Sequence, residues 1–226
     1  MRSLRGVNYR RVGCPVHQPF SFPRKANFAW RQARGRHIVL LNDDMEVVSR
    51  DWLGAMLEPL QDAAVGVVGA KLYFPDARIQ HVGIVLGIHE TAAHVYYGFP
   101  AGTVGYNLFT HVIRNYSAVT AACMATRIDV LERIHGFDEA FAVDFNDVDF
   151  CLRAIQAGYR VVYTPFAELL HFEGSSLQRR HQDPRELKLF ADRWSAWMAC
   201  DPYYNPSLTL RDVDFSMDPA LEFARG

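Results

Sequence analysis

The chain has 226 residues, of which 50% are hydrophobic and 13% aromatic, so it can bury a sizeable core and extensive disorder is excluded. Its 24 basic and 25 acidic residues give a net charge of −1, which provides no general attraction to nucleic acid. The four cysteines form no CxxC pair and no apolar run approaches the ~18 residues of a membrane span, so we expect a cytoplasmic protein without a zinc signature or a disulfide framework.

The first half of the chain is predicted to alternate short helices and strands. Residues 1–27 are irregular and basic, which indicates either a solvated segment or one that contacts an anionic ligand or the inner face of a membrane. The elements that follow are a helix over 27–33, a strand over 37–41, a helix over 50–61 with Ser49 as its N-cap, and strands over 65–74 and 79–88.

The second half begins with a long segment, residues 89–111, that is predicted to be a loop. Loops of this length are uncommon unless they have a role such as that of a lid. The elements after it are a strand over 119–126, a helix over 129–135 ended by Gly136, a helix over 147–157 ended by Gly158, a strand over 160–164 bounded by Pro165, and a helix over 187–198. Helices and strands are mixed throughout, which indicates the α/β class.

Two acidic clusters lie where an open α/β sheet binds ligands. Asp43 and Asp44 directly follow the first apolar strand, and Asp147 and Asp149 open a predicted helix. Adjacent carboxylates also suit a turn or a helix N-cap, and that alternative is strongest for Asp149. Asp147 follows small and apolar residues, so it is the better candidate for a partly desolvated general base.

His171 follows a second apolar run. A lone histidine there is more often a packed residue than a ligand, but imidazole suits Mn²⁺ as a ligand beside carboxylates. Arg179 follows shortly after and could neutralise a diphosphate leaving group, although a solvated basic run is an equal alternative.

An ordered series of segments over about residues 19–215 resembles the family 2 glycosyltransferases, and within them the rhamnosyltransferase-like enzymes of O-antigen and cell-wall polysaccharide synthesis. The most specific segment is residues 145–153, Phe-Asn-Asp-Val-Asp-Phe-Cys-Leu-Arg. The other matching segments are residues 37–47, 51–53, 65–73, 80–83, 118–123, 136–139, 157–160, 171–173 and 201–206.

The resemblance implies a type-A glycosyltransferase fold, with a Rossmann-like nucleotide-binding half and an acceptor half in one mixed central sheet. It implies inverting transfer from a dTDP-, UDP- or GDP-linked sugar to a glycan or lipid-linked acceptor, with Mn²⁺ or Mg²⁺. By motif, Asp147 would be the catalytic base and Asp44 and His171 the metal ligands. The donor would meet Asn42, Asp43 and Arg179, and the acceptor side would include Gly136, Phe137 and Asp149.

The chain departs from the family pattern in two respects. Asn42 and Asn146 stand where many members have acidic residues, which leaves Asp44 and Asp147 as the surer functional residues. About forty residues precede Asp43, and none resembles the family's apolar opening strand, so the chain looks N-terminally truncated.

We therefore expect a single domain over residues 1–226. Residues 28–74 would be the remaining donor half, residues 112–175 the acceptor half, and residues 187–226 a C-terminal helix and tail. An inactive fragment that only binds acceptor or a partner chain is the alternative. A metal-dependent phosphoesterase is a third class, although it would normally need more metal ligands than the sequence offers.

Overall fold

The structure, a computed structural model, describes residues 10, 12–14, 19–172 and 182–218. The helices in this part of the chain are α1 (Phe22–Gln32), α2 (Trp52–Leu57), α3 (Ile128–Arg133), α4 (Asn146–Gln156) and α5 (Pro184–Ala199). The strands are β1 (His37–Leu41), β2 (Met45–Val47), β3 (Val65–Tyr73), β4 (Ile79–His81), β5 (Ile84–Leu86), β6 (Ala92–His94), β7 (Arg114–Asn115), β8 (Cys123–Arg127) and β9 (Arg160–His171). No helix among the described residues is long and apolar enough to cross a membrane.

Seven of these strands form one mixed sheet. Its central order is β1-β8-β3-β9-β2, with β4 attached to β3 and β7 attached to β9. The pairing of β3 with β9 is parallel, and the other strand pairs are antiparallel. Strands β5 and β6 form a separate hairpin-like pair. The predicted α/β class with a mixed central sheet is confirmed.

Apolar side chains cover both faces of the sheet. On one face, Met56 of α2 packs with Val68 and Leu72 of β3. On the other, Phe150 of α4 and Trp194 of α5 belong to a larger cluster that includes Val67 of β3. Because β3 is buried from both sides, its sequence is an almost continuous apolar run rather than an alternating one.

Strand β9 continues well past Pro165, so the prediction that it ends at residue 164 is wrong. Gly69 pairs with Tyr163 and Lys71 pairs with Glu168, which leaves residues 164–167 opposite the single residue Ala70. Proline cannot donate to a strand ladder, and a bulge is where a sheet tolerates it. Beyond the bulge the strand resumes pairing and ends at His171.

Ser49 fastens this bulge and does not cap a helix. Its hydroxyl donates to the carbonyl of Phe166 at 3.0 Å and accepts from the amide of Glu168 at 2.9 Å. The predicted helix over 50–61 is accordingly shorter. It consists of α2 and a separate 3₁₀ turn, Pro59–Gln61, because Pro59 cannot continue the hydrogen-bond ladder of α2.

Helix α1 begins at Phe22, five residues before the predicted start, so the irregular lead-in does not extend to residue 27. Ser21 is its N-cap and accepts from the amide of Arg24 at 3.4 Å, and Pro23 occupies its first turn, where a missing N–H costs nothing. The predicted helices over 129–135 and 147–157 are confirmed to within two residues by α3 and α4, and α5 begins three residues before the predicted 187.

The predicted strand over 79–88 and the predicted loop over 89–111 are both revised. Gly83, with φ +124°, breaks the strand into β4 and β5. Within residues 89–111, β6 pairs with β5, and Val95 and Tyr96 are buried in the larger core cluster. Residues 92–96 are therefore packed structure, whereas most of the segment beyond them is exposed or half-buried and forms no strand. The strand predicted over 119–126 starts later, at Cys123, and β7 precedes it.

Gly136 and Gly158, which follow α3 and α4, differ in how closely neighbouring side chains pack against them. Gly136 has φ +71° and a Cβ built on it would lie 2.4 Å from Oδ1 of Asn27, whereas Gly158 has φ +96° and open space around the same position. We expect Gly158→Ala to lower the free energy of unfolding by about 1–2 kcal/mol through backbone strain alone. Gly136→Ala should cost about 1–3 kcal/mol more, because Asn27 must move.

Urea unfolding of the two variants measures the difference. Equal losses would contradict the packing of Gly136 against α1, since both glycines have a positive φ and only Gly136 has a close neighbour.

Candidate active site

The acidic loop after β1 and the end of β9 are held together by backbone pairing. Met45 of β2 is paired with His171 of β9, and the amide of Phe172 donates to the carbonyl of Asp44 at 2.9 Å. As a result Nε2 of His171 lies 3.1 Å from Oδ1 of Asp44 and 3.3 Å from Nδ2 of Asn42. The structure thus brings together three of the predicted site residues from opposite ends of the chain.

The Asp44 carboxylate and the His171 imidazole together fit a divalent cation that takes its remaining ligands from a substrate. Adjacent ligands of an octahedral Mg²⁺-type ion lie about 3 Å apart, and Asp44 and His171 meet that spacing. The described residues contain no cluster of three His, Cys, Asp or Glu side chains that could hold a metal. Asp44 and His171 could therefore supply two ligands, with water or phosphate oxygens supplying the rest.

Asp147 lies in the first turn of α4 and is half-buried. Its Oδ2 accepts from the amide of Ala121 at 3.1 Å, and its Oδ1 accepts from the amide of Val148 at 2.9 Å. The neighbouring carbonyl of Ala122 accepts from the amide of Asn42 at 2.9 Å. Residues 121 and 122 thus connect the predicted base to the acidic loop, at the same end of the sheet as His171.

Hydrogen bonds to a side chain of α5 fix the loop that precedes Asp147. The buried carboxylate of Glu186 accepts from three consecutive backbone amides, those of Ala142, Val143 and Asp144, at 2.9, 3.3 and 2.7 Å. Charge-assisted bonds of this kind are stronger than bonds between neutral groups. Sequence reasoning gave Glu186 no role, and only its place in the first turn of a helix could have drawn attention to it.

Asp149 lies on the other side of α4 from Asp147, and its carboxylate is fully buried. It forms ion pairs with Arg153 and Arg193, both at 2.7 Å, and accepts from Nε1 of Trp194 at 3.1 Å. An acceptor-side role for Asp149 stays a prediction, but these contacts favour the structural alternative, since both of its oxygens are occupied inside the core.

Gly136 and Phe137 also stay untested as acceptor-side residues. Phe137 is buried and stacks on Phe150 with ring centroids 4.3 Å apart, and its backbone exchanges two hydrogen bonds with the Asn27 side chain. Any effect of these two residues on an acceptor would act through the shape of the surrounding backbone. Asp43 is exposed beside Asp44, and Arg179 lies outside the described residues.

Two consecutive buried polar residues on β4 contact both parts of this site. Gln80 Oε1 lies 2.6 Å from Nδ1 of His171, and Nε2 of His81 accepts from the amide of Thr120 at 3.4 Å. Both belong to a segment that carries the family resemblance, but sequence reasoning gave them no role. Two polar residues inside an apolar run were the available signal, since buried polar groups require partners.

His81 is fully buried, and its Nδ1 lies 3.2 Å from Nδ1 of His94 on β6. Burial, reinforced by the neighbouring His94, lowers the pKa of His81 well below its ordinary value. The folded chain therefore holds His81 as a neutral imidazole, which is consistent with Nε2 acting as an acceptor for Thr120.

The fold is that of the type-A glycosyltransferases. Superposition on the crystal structure of GalNAc-T7 with UDP, GalNAc and Mn²⁺ gives a TM-score of 0.59 at 11% sequence identity and covers 81% of this chain and 37% of that one. At so low an identity the likeness concerns the fold alone.

The sequence comparisons identify the family. The profile of glycosyltransferase-like family 2 matches residues 11–199, and the chain belongs to this family. It is 38% identical over 218 residues to the O-antigen biosynthesis protein RfbC of Myxococcus xanthus, covering 92% of this chain and 16% of that protein. It is 32% identical over 179 residues to the rhamnosyltransferase WbbL of Escherichia coli K12, covering 73% of this chain and 60% of that protein.

The chain thus spans less than two thirds of the length of either relative. The resemblance noted in the sequence, including its O-antigen and rhamnosyltransferase-like subset, is confirmed by these matches.

The neutral state of His81 predicts a pH dependence of stability. Its folded-state pKa lies below the unfolded value near 6.5, so the unfolded chain gains the proton first as the pH falls. We expect the free energy of unfolding to decrease below about pH 6.5, by up to about 1.4 kcal/mol per pH unit from this residue.

Urea unfolding of the wild type and of His81→Gln between about pH 7.5 and 5.5 measures this contribution. The variant should be the less stable protein at high pH and should lose less stability on acidification. Parallel pH profiles of the two proteins would contradict the assignment.

Proposed function

We propose that this chain is an inverting, metal-dependent glycosyltransferase. It would move a sugar from a nucleotide-diphosphate donor to a hydroxyl of a glycan or lipid-linked acceptor in surface-polysaccharide synthesis. The observation that carries the proposal is the joining of Asp147 to the Asp44–His171 pair through residues 121 and 122. The names of the relatives RfbC and WbbL support the polysaccharide context and a hexosyl or rhamnosyl donor.

The base side of the reaction follows from the placement of Asp147. Its carboxylate is half-buried at a helix N-terminus and held by the Ala121 amide, so its orientation is defined. It would accept the proton of the acceptor hydroxyl as that oxygen bonds to the anomeric carbon. The bond between that carbon and the diphosphate breaks at the opposite face, so one displacement inverts the configuration.

The donor side follows from Asp44 and His171, which would hold Mn²⁺ or Mg²⁺. When bound, such an ion offsets the negative charge that develops on the leaving diphosphate. Asn42 and Asp43 would contact the donor next to these ligands, and Arg179 would add a positive charge to the same group. A phosphoesterase is less favoured, because no third His, Cys, Asp or Glu joins the pair within the described residues.

The remaining assignments are part of the same proposal. UDP-, dTDP- and GDP-linked sugars are the donor classes to consider, and Gly136 and Phe137 would shape the acceptor side through the backbone. A cytoplasmic location, expected from the cysteines, and contact with the inner face of a membrane, expected from the basic segment over residues 1–27, stay predictions.

Replacing the base separates chemistry from binding. We expect Asp147→Asn to lower the rate of sugar transfer by ~100-fold or more, because the amide cannot accept the acceptor proton. The affinity for the donor should change little, since Asp147 contacts the Ala121 amide and not the metal ligands. Release of nucleoside diphosphate from a nucleotide-sugar in the presence of a lipid-linked oligosaccharide measures transfer.

Asp192→Asn is the matched control, because Asp192 is an exposed carboxylate on α5 that pairs with Lys188. It should transfer at the wild-type rate. Normal turnover of Asp147→Asn would remove Asp147 from the role of base.

Donor binding is tested by calorimetric titration of the full chain with UDP, dTDP and GDP, with and without Mn²⁺. We expect one of the three to bind only when Mn²⁺ is present, because the diphosphate completes the coordination that Asp44 and His171 begin. Asp44→Asn should weaken that binding by at least ~10-fold.

The absence of binding by a folded chain would favour the alternative of an inactive binding domain. Binding that is equally tight without Mn²⁺ would contradict the proposed roles of Asp44 and His171.

A further inference from the structure

Gln80 is a buried residue whose side-chain amide contacts His171 at Nδ1, the ring nitrogen that does not face Asp44. It is 3% exposed, and its Oε1 lies 2.6 Å from Nδ1 of His171. The sheet explains the contact: Tyr73 of β3 pairs with Ile79 of β4 on one side and with Leu170 of β9 on the other. Gln80 follows Ile79 at the register shift before His81 pairs with Leu72, and His171 follows Leu170, so the two residues lie on strands that flank the last residues of β3.

The contact bears on which nitrogen of His171 carries the proton. A neutral imidazole has one N–H donor and one acceptor nitrogen, and the partner of one nitrogen fixes the state of the other. With Nδ1–H donating to Gln80, Nε2 keeps its lone pair and accepts from the Asn42 amide at 3.3 Å. With the opposite tautomer, Nε2–H would donate to Asp44 at 3.1 Å and could not bind a cation.

We propose that Gln80 is a positioning residue that holds His171 as the Nδ1–H tautomer, with the lone pair of Nε2 directed towards Asp44. The inference rests on the proposed function, since a cation at Asp44 and His171 is what this lone pair serves. Partners of this kind typically change metal affinity by 10- to 100-fold when they are replaced.

The acceptor oxygen, and not the volume of the side chain, is the feature that matters. Gln80→Glu keeps an oxygen at the same reach, whereas Gln80→Met fills a similar space without one. Gln61→Met is the matched control, because Gln61 is an exposed glutamine on the 3₁₀ turn after α2.

The tautomer is measured directly by long-range ¹H–¹⁵N correlation NMR on the metal-free full chain at about pH 8, where an ordinary imidazole is neutral. Nine histidines are present, and comparison with a His171→Asn spectrum identifies the signals of His171. The wild type, Gln80→Glu and Gln61→Met should show the Nδ1–H tautomer. Gln80→Met should lose it, wholly or in part.

An Nε2–H tautomer in the wild type would overturn the inference, because Gln80 would then donate to His171. An unchanged Nδ1–H tautomer in Gln80→Met would overturn it as well. This readout does not depend on turnover. If the chain shows the expected tautomer but neither binds nucleotide nor transfers sugar, the proposed function is contradicted. The role of Gln80 in fixing the tautomer is then still supported.

Metal affinity provides the second readout. Mn²⁺ binding in the presence of UDP, followed by the electron paramagnetic resonance of free Mn²⁺, should weaken at least ~10-fold in Gln80→Met. It should stay within about threefold of wild type in Gln80→Glu and Gln61→Met. Circular dichroism melting confirms that each variant is folded. Equal losses in folded Gln80→Glu and Gln80→Met would show that the acceptor oxygen is not the feature that matters, and wild-type affinity in Gln80→Met would show that Gln80 only fills space; either result would overturn the inference.

Discussion

The parallel pairing of β3 with β9 is the constraint on which the site depends. Strand β9 pairs with β3 on both sides of a bulge that accommodates Pro165, and Ser49 fastens that bulge. Without the second stretch of pairing, His171 would not reach the acidic loop after β1. The proposed metal-binding end of the site is therefore set by strand register and not by the loops around it, which favours a fixed separation of Asp44 and His171.

Local signals in the sequence predicted the elements that local forces determine. The strand over 37–41 and the apolar run from Val65 were predicted correctly, and Gly158 correctly marked the end of α4. The errors arose where a distant partner overrides a local signal. Pro165 normally ends a strand, but here two flanking strands and Ser49 carry the chain past it. Residues 89–111 have no readable periodicity, because β6 depends on its pairing with β5.

Strand ends and the family resemblance singled out Asp44, Asp147 and His171 as candidate site residues, and the structure brings Asp44 and His171 together. The sequence already favoured Asp147 over Asp149 as the base, and helix geometry separates the two side chains. Residues two apart on a helix lie about 200° apart around its axis, so only one of the two can face a given side. The contact between Gln80 and His171 could not be predicted, because it depends on the register of β4 and of β9 against β3.

The hydrogen bonds of Glu186 to residues 142–144 limit where this chain can be cut. Every described residue with a proposed chemical role precedes residue 173, yet the carboxylate that orders the loop before Asp147 comes from α5. Arg193, which forms an ion pair with Asp149, and Trp194, which donates a hydrogen bond to it, come from the same helix. A boundary drawn after His171 would retain each of those side chains but would leave α4, which carries the proposed base, without the contacts from α5. A fragment of this chain that keeps the loop before Asp147 in place therefore has to include α5 as well as the residues with proposed chemical roles.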